Sequence, residues 1–386
     1  MKFQKLAFFS SLCLIALPSL WAADPATNSV LPVPPAPMRI PLLVTTVTDA
    51  AALPVTIAAT DPNIRYIGRF DLSKGDPRCS WTASTITLKF QGTDLNAQME
   101  DSGCNYWEVE IDGQPIQKMA LGTGSHLYKI ASGLNPGTHT VRLVRATEAG
   151  VGPTQIHGFQ LNQGGSLLPC AAPAHRLEVI GDSISCGALN EALPGHKDPS
   201  NVTENGYFSY GEITACDLGL DYHCVSWSGR KMWPNKTMPE IYDETIPTEK
   251  DIIWDFSKWS PEAILINLST NDFNNRPPID EPGWTAAYEK FAGLLRSHFP
   301  AAEIYCATSP MLTGDRLALS KVWIQKVVSD LNAAGDAKVK YFEFDTEDPK
   351  DGIGGAHHPN VKTDQIMGNK LAAQLTTDLG WTNAGN

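Results

Sequence analysis

The 386-residue sequence predicts two folded domains, an antiparallel β-sandwich followed by an α/β domain with a mainly parallel sheet. Between residues 45 and 165, apolar and polar residues alternate with the period of two that is typical of half-buried strands. After residue 170, short apolar strands alternate with longer helical segments, and Gly164, Gly165 and Pro169 separate the two patterns. We therefore place the domains at residues 45–165 and 170–386.

The first 23 residues have the features of an export signal. Lys2 and Lys5 form a basic start, an apolar stretch follows, and Ala22 and Ala23 supply small residues for cleavage. A membrane anchor is the alternative, but a span needs about 18 or more apolar residues, and serines and a proline interrupt this shorter run. We expect cleavage, a secreted or periplasmic protein, and no membrane contact afterwards. The proline density of residues 24–44 predicts an extended linker.

The charge balance excludes two classes of partner. Thirty Lys and Arg residues against 42 Asp and Glu residues give a net charge of −12, which becomes −14 when Lys2 and Lys5 leave with the signal. No long basic run is present that could follow a phosphate backbone. Neither nucleic acid nor an anionic membrane surface is therefore an expected partner. Separately, we expect a monomer.

Seven of the eight cysteines remain after the signal is removed, so at least one is unpaired. In an oxidising compartment Cys216 with Cys224, or Cys79 with Cys104, could form a disulfide. A small buried thiol is an equally good interpretation of each, and the alternatives stay open at this point.

Three segments of the sandwich region read as strands. Residues 85–90 and 107–111 place apolar side chains on one face and polar side chains on the other. Residues 139–145 follow a turn and repeat this pattern. Several short strands at this spacing predict a β-sandwich, with Trp81 and Trp107 in its core.

The α/β region contains four apolar strand candidates and three segments of helical periodicity. The strand candidates are residues 177–180, 263–268, 303–307 and 339–344. The helical segments are residues 285–298, 316–334 and 364–379. Such alternation predicts a sheet covered by helices on both faces. Ligand sites in these sheets lie outside the carboxyl ends of the strands, so the residues that follow each strand are the first candidates.

Two strand ends carry hydroxyl, carboxyl and amide groups. Ser183 follows the strand at residues 177–180, where a strand-to-helix turn would project its hydroxyl above the sheet, although Asp182 or Ser183 could equally be a plain helix N-cap. Asn271 follows a second strand, and its amide can donate to an oxyanion while Asp272 braces the loop.

Two further segments supply an open backbone and an imidazole. Gly229 is the residue without a side chain in the segment 226–230, so its N–H can approach a substrate closely. The glycine-rich segment 351–360 contains the pair His357 and His358. Histidine is the commonest general base near neutral pH, and a nucleophilic serine needs such a base within hydrogen-bonding reach.

The order of these segments resembles the four blocks of the SGNH (GDSL) hydrolases, namely Gly181-Asp182-Ser183, Gly229, Asn271 and His358-Pro359. The region before them narrows the resemblance. Residues 64–165, with the segments 67–71 and 106–113, resemble the N-terminal jelly roll of carbohydrate esterase family two. The resemblance covers nearly the whole mature chain, and it implies a flavodoxin-like SGNH domain of three α/β/α layers behind a jelly-roll sandwich.

The resemblance implies hydrolysis of acetyl esters on plant polysaccharides such as xylan and glucomannan, often at the sugar 6-position. Ser183 would attack the acetyl carbonyl and form an acyl-enzyme, while His358 takes its proton and later protonates the leaving sugar oxygen. The oxyanion would be held by the backbone N–H groups of Ser183 and Gly229 and by the side-chain amide of Asn271. The partner would be an acetylated polysaccharide or oligosaccharide, and no metal or organic cofactor is needed.

One position departs from the family pattern. SGNH enzymes usually carry an Asp three residues before the catalytic His, and that residue is Gly355 in this chain. Some members of the esterase family orient the imidazole through a main-chain carbonyl, so a dyad of Ser183 and His358 is the preferred hypothesis. Asp351 is the alternative third member, because the intervening glycines leave its reach undetermined.

Four further residues are candidates for contact with the sugar. Trp227, Trp233 and Phe273 adjoin the blocks, and aromatic faces stack on sugar rings, although core packing explains each of them equally well. His357 could line the cleft or be the base, but the position before proline favours His358 as the base. Paired histidines without spaced carboxylates or cysteines do not predict a metal site.

Two other functions are weighed against the acetyl esterase. A lipid esterase or thioesterase of the same superfamily would use the same catalytic groups with a deep aliphatic groove, whereas aromatic residues at an open cleft would favour sugar. A non-catalytic carbohydrate-binding protein would recognise glycan through the sandwich alone. Its inert α/β domain would have no need of a nucleophile, a base and oxyanion donors together.

Overall fold

The computed structural model describes residues 55–197, 200–274 and 280–383. Two antiparallel sheets form a β-sandwich at the N-terminal side, and a parallel sheet with helices follows. The predicted fold class is therefore confirmed. The predicted signal at residues 1–23 and the linker at residues 24–44 lie outside the described residues.

The sandwich begins at β1 and ends at β11, where the chain passes into the α/β domain. One sheet has the order β1-β10-β5-β8 with β3 beside β10, and the other has the order β11-β4-β9-β6-β7 with β2 beside β4. The strands are β1 (Val55–Ala58), β2 (Arg65–Ile67), β3 (Arg78–Cys79), β4 (Thr85–Gly92), β5 (Leu95–Asp101), β6 (Tyr106–Ile111), β7 (Gln114–Ala120), β8 (Gly124–Ala131), β9 (Gly137–Arg145), β10 (Thr154–Leu161) and β11 (Ser166–Leu168).

Alternate residues of the sandwich strands fill its core. In β4, Ile86, Leu88 and Phe90 are fully buried, as the period-two pattern predicts. Trp107 of β6 is buried in the same core. Trp81 is also buried, but it packs into the core of the α/β domain and donates its indole N–H to the Glu244 carbonyl at 3.1 Å. Trp81 therefore joins the two domains.

The α/β domain is built on a parallel sheet of order β13-β12-β14-β15-β16. Its strands are β12 (Arg176–Gly181), β13 (Asp221–Ser226), β14 (Ala263–Asn267), β15 (Glu303–Thr308) and β16 (Val339–Glu343). Its helices are α1 (Ser183–Cys186), α2 (Tyr210–Leu218), α3 (Thr270–Phe273), α4 (Glu281–His298), α5 (Gly314–Ala333) and α6 (Val361–Leu379). Among the residues that the structure covers, no helix has the length and apolar character needed to cross a membrane.

The two faces of the parallel sheet carry separate cores. Ile180 of β12 packs in a cluster with residues of α4 and α5, such as Trp284. Val179, one residue earlier, packs in a second cluster with residues of α2 and α6, such as Leu371. Successive residues of a strand point to opposite faces, so α4 and α5 cover one face while α2 and α6 cover the other.

All four predicted strands and all three predicted helices of this domain are present. The periodicity of the sequence did not predict β13 or α2, although both are largely buried. In β13 the sequence Asp-Tyr-His-Cys-Val-Ser contains polar residues that are nonetheless buried, so it lacks the apolar run that marks the other strands. On α5, Ile324 and Val327 are buried, whereas Val322 is 59% exposed.

The domains meet through buried charged groups. Arg69, after β2, contacts Glu178 of β12 at 3.1 Å, and each side chain is 1% exposed. Lys118 of β7 contacts Glu191 of the α/β domain at 2.6 Å, and the lysine side chain is fully buried. Charges buried in this way need partners, so each domain supplies counter-charges for the other.

All seven cysteines within the described residues are free thiols. Neither candidate disulfide, Cys216 with Cys224 or Cys79 with Cys104, is formed. Cys79 and Cys224 are buried, and they act as small apolar residues of the interior.

The register of the parallel sheet aligns three strand ends. Gly181 of β12 lies opposite Ser226 of β13 and Asn267 of β14. The strand order reverses beside β12, which is the position where open α/β sheets place their ligand sites. The segments that follow these three strands therefore meet at the carboxyl end of the sheet.

Candidate active site

Ser183 is the first residue of α1, directly after β12. Asp182 is the N-cap of that helix, and its carboxylate accepts the Ile184 N–H at 3.1 Å. Of the two N-cap candidates, Asp182 thus fills the capping role, which leaves the Ser183 hydroxyl at the carboxyl end of the sheet. Ser183 is 8% exposed and lines a cleft.

The imidazole of His358 lies beside that hydroxyl. Nε2 of His358 is 2.9 Å from Ser183 Oγ, and Nδ1 is 3.2 Å from the Gly355 carbonyl oxygen. A carbonyl oxygen can only accept, so the proton of a neutral imidazole sits on Nδ1 and Nε2 is free to accept the serine hydroxyl proton. Burial lowers the pKa of His358 below the ordinary value of 6.5, and the bond to Gly355 offsets only part of this.

The loop before His358 has an unusual backbone. Ala356 and His357 both have positive φ, at 48° and 64°. Residues other than glycine rarely adopt this region, and such strain is concentrated at functional sites. The turn brings the Gly355 carbonyl to the His358 ring, which gives the ring a main-chain acceptor.

Gly355 occupies the position where the family pattern usually has Asp, and the surroundings leave no space for a side chain. A Cβ on Gly355 would lie 2.9 Å from Ala192 Cβ and 3.0 Å from Leu189 Cδ2. Contacts this short require neighbouring atoms to move, so the loop in this conformation has no room for a side chain at position 355.

Asp351, the alternative third member, has a different partner. Its carboxylate contacts Lys362 Nζ at 2.7 Å, and its carbonyl accepts from Asn360. Within the described part of the chain, the acceptor at His358 Nδ1 is the Gly355 carbonyl and not a carboxylate. This geometry corresponds to the dyad hypothesis.

Gly229 and Asn271 reach the same cleft from β13 and β14. Gly229 has φ of 77°, and open space surrounds the position where a Cβ would be. Asn271 Nδ2 donates to Asp182 Oδ2 at 3.2 Å and to the Arg230 carbonyl at 3.0 Å. The amide is therefore held at the cleft, and donation to a bound oxyanion would replace one of these contacts.

Two buried carboxyls brace these donors. Asp182 holds Asn271, and burial, strengthened by the charge of Asp272, raises the pKa of Asp182 to about 7. Asp272 accepts the backbone N–H groups of Met232 and Trp233 at 3.0 to 3.2 Å, and burial raises its pKa to about 6. Asp272 thus braces the loop that carries Gly229, as its position after β14 suggested.

The cleft around Ser183 has a volume of about 430 Å³, and most of its lining residues have polar side chains. Its aliphatic lining consists of Ala188, Leu189 and Met311. Polar side chains of the lining that the sequence analysis did not identify are Glu148, Ser200, Asn201, Glu204, Thr270 and Asn274. Glu148 comes from the sandwich, and no local pattern in the sequence distinguishes it from an ordinary loop residue.

The three aromatic candidates do not line this cleft. Phe273 is 5% exposed and packs against Trp284 and Trp323 in the core, so its prediction as a sugar contact is wrong. Trp227 and Trp233 are half-buried and pack against the same core. Their alternative interpretation as packing residues describes the structure better.

His357 is exposed and lines a neighbouring cavity of about 400 Å³ together with His196 and Ile353. Among the described residues, the imidazole that meets the serine is that of His358. The geometry therefore favours His358 over His357 as the base.

One group of possible metal ligands lies beside the cleft. Glu148, Cys186 and Glu204 each offer one ligand atom, and these atoms lie within 4.8 Å of one another. Burial, followed by the neighbouring carboxylates, raises the pKa of the Cys186 thiol, and burial with the Glu148 charge raises that of Glu204. Both shifts favour the protonated forms, so Cys186 and Glu204 would each have to lose a proton before they could bind a cation.

The arrangement can perform nucleophilic acyl transfer. It combines a serine hydroxyl, an imidazole at 2.9 Å and N–H donors at the same edge of the sheet. Comparison with known proteins agrees with this chemistry. Residues 66–170 match the family "Carbohydrate esterase 2 N-terminal", and residues 177–371 match "GDSL-like Lipase/Acylhydrolase".

Characterised relatives cover the same region. The chain is 35% identical over 329 residues to the cellulase/esterase CelE of Acetivibrio thermocellus, covering 83% of this chain but 40% of that protein. It is 28% identical to an acetylxylan esterase / glucomannan deacetylase of Cellvibrio japonicus, covering 84% of this chain and 92% of the relative.

A solved structure of a family two carbohydrate esterase from Clostridium thermocellum, in complex with cellohexaose, superposes with a TM-score of 0.79. The two sequences are 34% identical, and the match covers 82% of this chain and 99% of that one. Both domains of the present chain and their order are therefore accounted for. The chain belongs to carbohydrate esterase family 2, with an SGNH (GDSL) hydrolase domain behind the N-terminal domain of that family.

Proposed function

We propose that this esterase removes acetyl groups from plant polysaccharides such as acetylated xylan and glucomannan, with the sugar 6-position among its sites. The observation that carries the proposal is the 2.9 Å contact between Ser183 Oγ and His358 Nε2 at the sheet edge. The acetylxylan esterase / glucomannan deacetylase of Cellvibrio japonicus supports this substrate class.

In the proposed reaction Ser183 Oγ attacks the acetyl carbonyl carbon while His358 Nε2 accepts the hydroxyl proton. The oxyanion receives hydrogen bonds from the backbone N–H groups of Ser183 and Gly229 and from the Asn271 amide. His358 then protonates the leaving sugar oxygen, which leaves an acetyl-enzyme. Water activated by the same imidazole attacks this ester and releases acetate.

The composition of the cleft favours a sugar acetate over a long acyl chain. Most of its lining residues have polar side chains, and Leu189 and Met311 are its largest aliphatic members among the described residues. A lipid esterase would need an extended apolar groove for the chain. Hydroxyl groups of a sugar can instead bond to side chains such as Asn201 and Asn274.

A purely carbohydrate-binding role is less well supported. Such a protein would not need an imidazole with its Nε2 directed at a serine hydroxyl, or a pKa lowered so that this nitrogen stays free. The buried carboxyls that hold Asn271 and the Gly229 loop are costly to bury and have no evident use in a passive scaffold.

The test is acetate release from acetylated xylan, acetylated glucomannan and 4-nitrophenyl acetate. We expect turnover by the native protein and its loss in Ser183→Ala, because no other hydroxyl lies at the imidazole within the described chain. The affinity of Ser183→Ala for a non-acetylated xylo-oligosaccharide should be unchanged. Ser297→Ala, an exposed serine on α4, is the matched control and should behave as the native protein.

Acetate release that is unchanged in Ser183→Ala would remove Ser183 as the nucleophile. If the native protein bound the oligosaccharide but released no acetate from any substrate, the binding role would be correct instead. Comparing singly acetylated sugars then identifies which hydroxyl position is preferred.

We further propose that the protein is exported, on the basis of the basic start, apolar stretch and small residues in positions 1–23. Acetylated polysaccharides are too large to enter a cell, so export would bring the enzyme to its substrate. The N-terminal residue of protein recovered from the periplasm or the medium is expected near Asp24. Protein retained in the cytoplasm with Met1 intact would contradict this.

A further inference from the structure

The Gly229 N–H is presented by a tight turn formed by residues Trp227 to Arg230. The Arg230 N–H donates to the Trp227 carbonyl at 3.2 Å, and Gly229, in the third position, has φ of 77°. This is the positive φ that a type II turn requires at that position. Gly229 N–H is bonded to no acceptor among the described residues, so it is available to a ligand in the cleft.

A side chain of the sandwich holds this turn. Glu148 Oε2 accepts the Ser228 N–H at 2.7 Å. Glu148 follows β9, and its backbone begins the short helical turn Ala149–Val151. A hydrogen bond to a carboxylate is short and strong, and this one restrains the residue next to Gly229.

A second contact docks the same turn on the sandwich. The Trp227 indole packs so closely on Gly150 that a Cβ there would lie 2.8 Å from Trp227 Nε1. The Arg230 guanidinium lies over the Trp227 ring, 4.4 Å from its centroid. The turn is therefore fixed to residues 148–150 by one hydrogen bond and one packed ring.

The far end of the loop is held by the α/β domain. Asp272 accepts the N–H groups of Met232 and Trp233, so two carboxylates, one from each domain, lie on either side of Gly229. If either carboxylate were removed, only the other would still restrain the loop that sets the direction of the Gly229 N–H. Oxyanion donors act only when they are held in the correct direction before the reaction.

We propose that Glu148 is a positioning residue of the esterase site, which holds the Trp227–Ser228 peptide, and with it the turn, so that the Gly229 N–H faces the oxyanion. The sandwich then contributes to catalysis by positioning an oxyanion donor, in addition to any binding of glycan. This inference rests on the proposed esterase function, because it assigns Gly229 the role of an oxyanion donor.

The test compares Glu148→Ala and Glu148→Gln in the full chain with 4-nitrophenyl acetate. Loss of an oxyanion donor costs about a hundredfold or more in rate, so a misdirected donor in Glu148→Ala should lower kcat about tenfold to a hundredfold. KM should stay within about twofold, because the interaction is made in the transition state. Glu148→Gln keeps an oxygen acceptor for Ser228 N–H and should recover most of the activity.

Two further variants separate this role from general stability. Asp221→Asn removes another carboxylate between the domains, which contacts Arg65 at 3.1 Å. Asp221 is the first residue of β13, so it lies at the end of the sheet opposite to the active site. It should leave kcat unchanged. Gly150→Ala should displace Trp227 and lower kcat in the same way as Glu148→Ala, and it decides the question if Glu148→Ala is poorly folded.

The proposal is overturned if Glu148→Ala keeps the native kcat, if only KM changes, or if Glu148→Gln is as impaired as Glu148→Ala. The native protein is assayed first with the same ester. Absence of turnover there refutes the esterase function itself, whereas native turnover with an unaffected Glu148→Ala refutes only the positioning role.

Discussion

Two histidines, one on the sandwich and one at the edge of the parallel sheet, show opposite uses of the same side chain. His157 on β10 contacts Asp76 at 2.7 Å and Glu100 at 3.0 Å. Burial tends to lower its pKa, but the two carboxylates outweigh this and raise the pKa above the ordinary value. His358 lies between a hydroxyl and a carbonyl, and burial lowers its pKa.

The comparison teaches that this active site favours a neutral base. A carboxylate at Nδ1 would orient the imidazole and also stabilise its charged form, as it does for His157. The Gly355 carbonyl orients the ring without adding a negative charge, so Nε2 remains unprotonated at lower pH. The cost is that the imidazolium formed during the reaction has no carboxylate beside it.

The largest expected effect is the loss of the base. His358→Ala should lower kcat by about ten-thousandfold or more, the scale seen when a catalytic histidine is removed from serine hydrolases. The neighbour His357→Ala is the matched control, since its ring is exposed and lines a different cavity. Acetate release under saturating substrate measures both, and a larger loss in His357→Ala would reverse the assignment.

The pH profile is the second test of the comparison. Catalysis needs neutral His358, so kcat/KM should fall as the pH drops, with a midpoint below 6.5 because the pKa of His358 is lowered. Initial rates between about pH 4 and about pH 8 measure this midpoint. A midpoint above 6.5 would indicate a carboxylate partner, as at His157.

A second inflection near pH 7 has a separate source in this structure. Burial raises the pKa of Asp182 to about 7, and Asp182 holds the Asn271 amide. Asp182→Asn removes that ionisation, so an inflection that survives in this variant belongs to His358 or to Asp272, whose pKa burial raises to about 6. Asp272→Asn then separates these two titrations.

The smallest expected effect belongs to Asp351. Its contact with Lys362 is a partly exposed ion pair, and such pairs contribute less than about 1 kcal/mol to stability. Asp351→Asn should therefore keep kcat within about twofold, and Lys362→Gln, which breaks the same pair, should match it. Loss of about ten-thousandfold in Asp351→Asn alone would make this residue the third member of a triad.

The parts of the fold that follow from local pattern were predictable. Apolar runs mark β12, β14, β15 and β16, and helical periodicity marks α4, α5 and α6. β13 was missed because tertiary burial of polar residues leaves no apolar run. Short edge strands such as β3 contain too few residues to show any period.

The site was predictable where its residues directly follow a strand. Ser183 and Asn271 obey this rule, and parallel strands bring them to one edge. Glu148 could not be found, because its contact with Ser228 depends on how the two domains pack. Phe273 adjoins the same edge in sequence, but its helix turns the ring into the core, which sequence spacing does not reveal.

The acceptor at His358 Nδ1 is a peptide oxygen, and this has a consequence for how the enzyme responds to mutation. Every residue carries the same main-chain oxygen, so replacing the residue at position 355 leaves that oxygen in place and can disturb it only by shifting the loop. An orienting aspartate could be lost through one codon change. Here the path of the backbone fixes the tautomer of the His358 imidazole. The neighbours that fill the space around Gly355 keep that path in place.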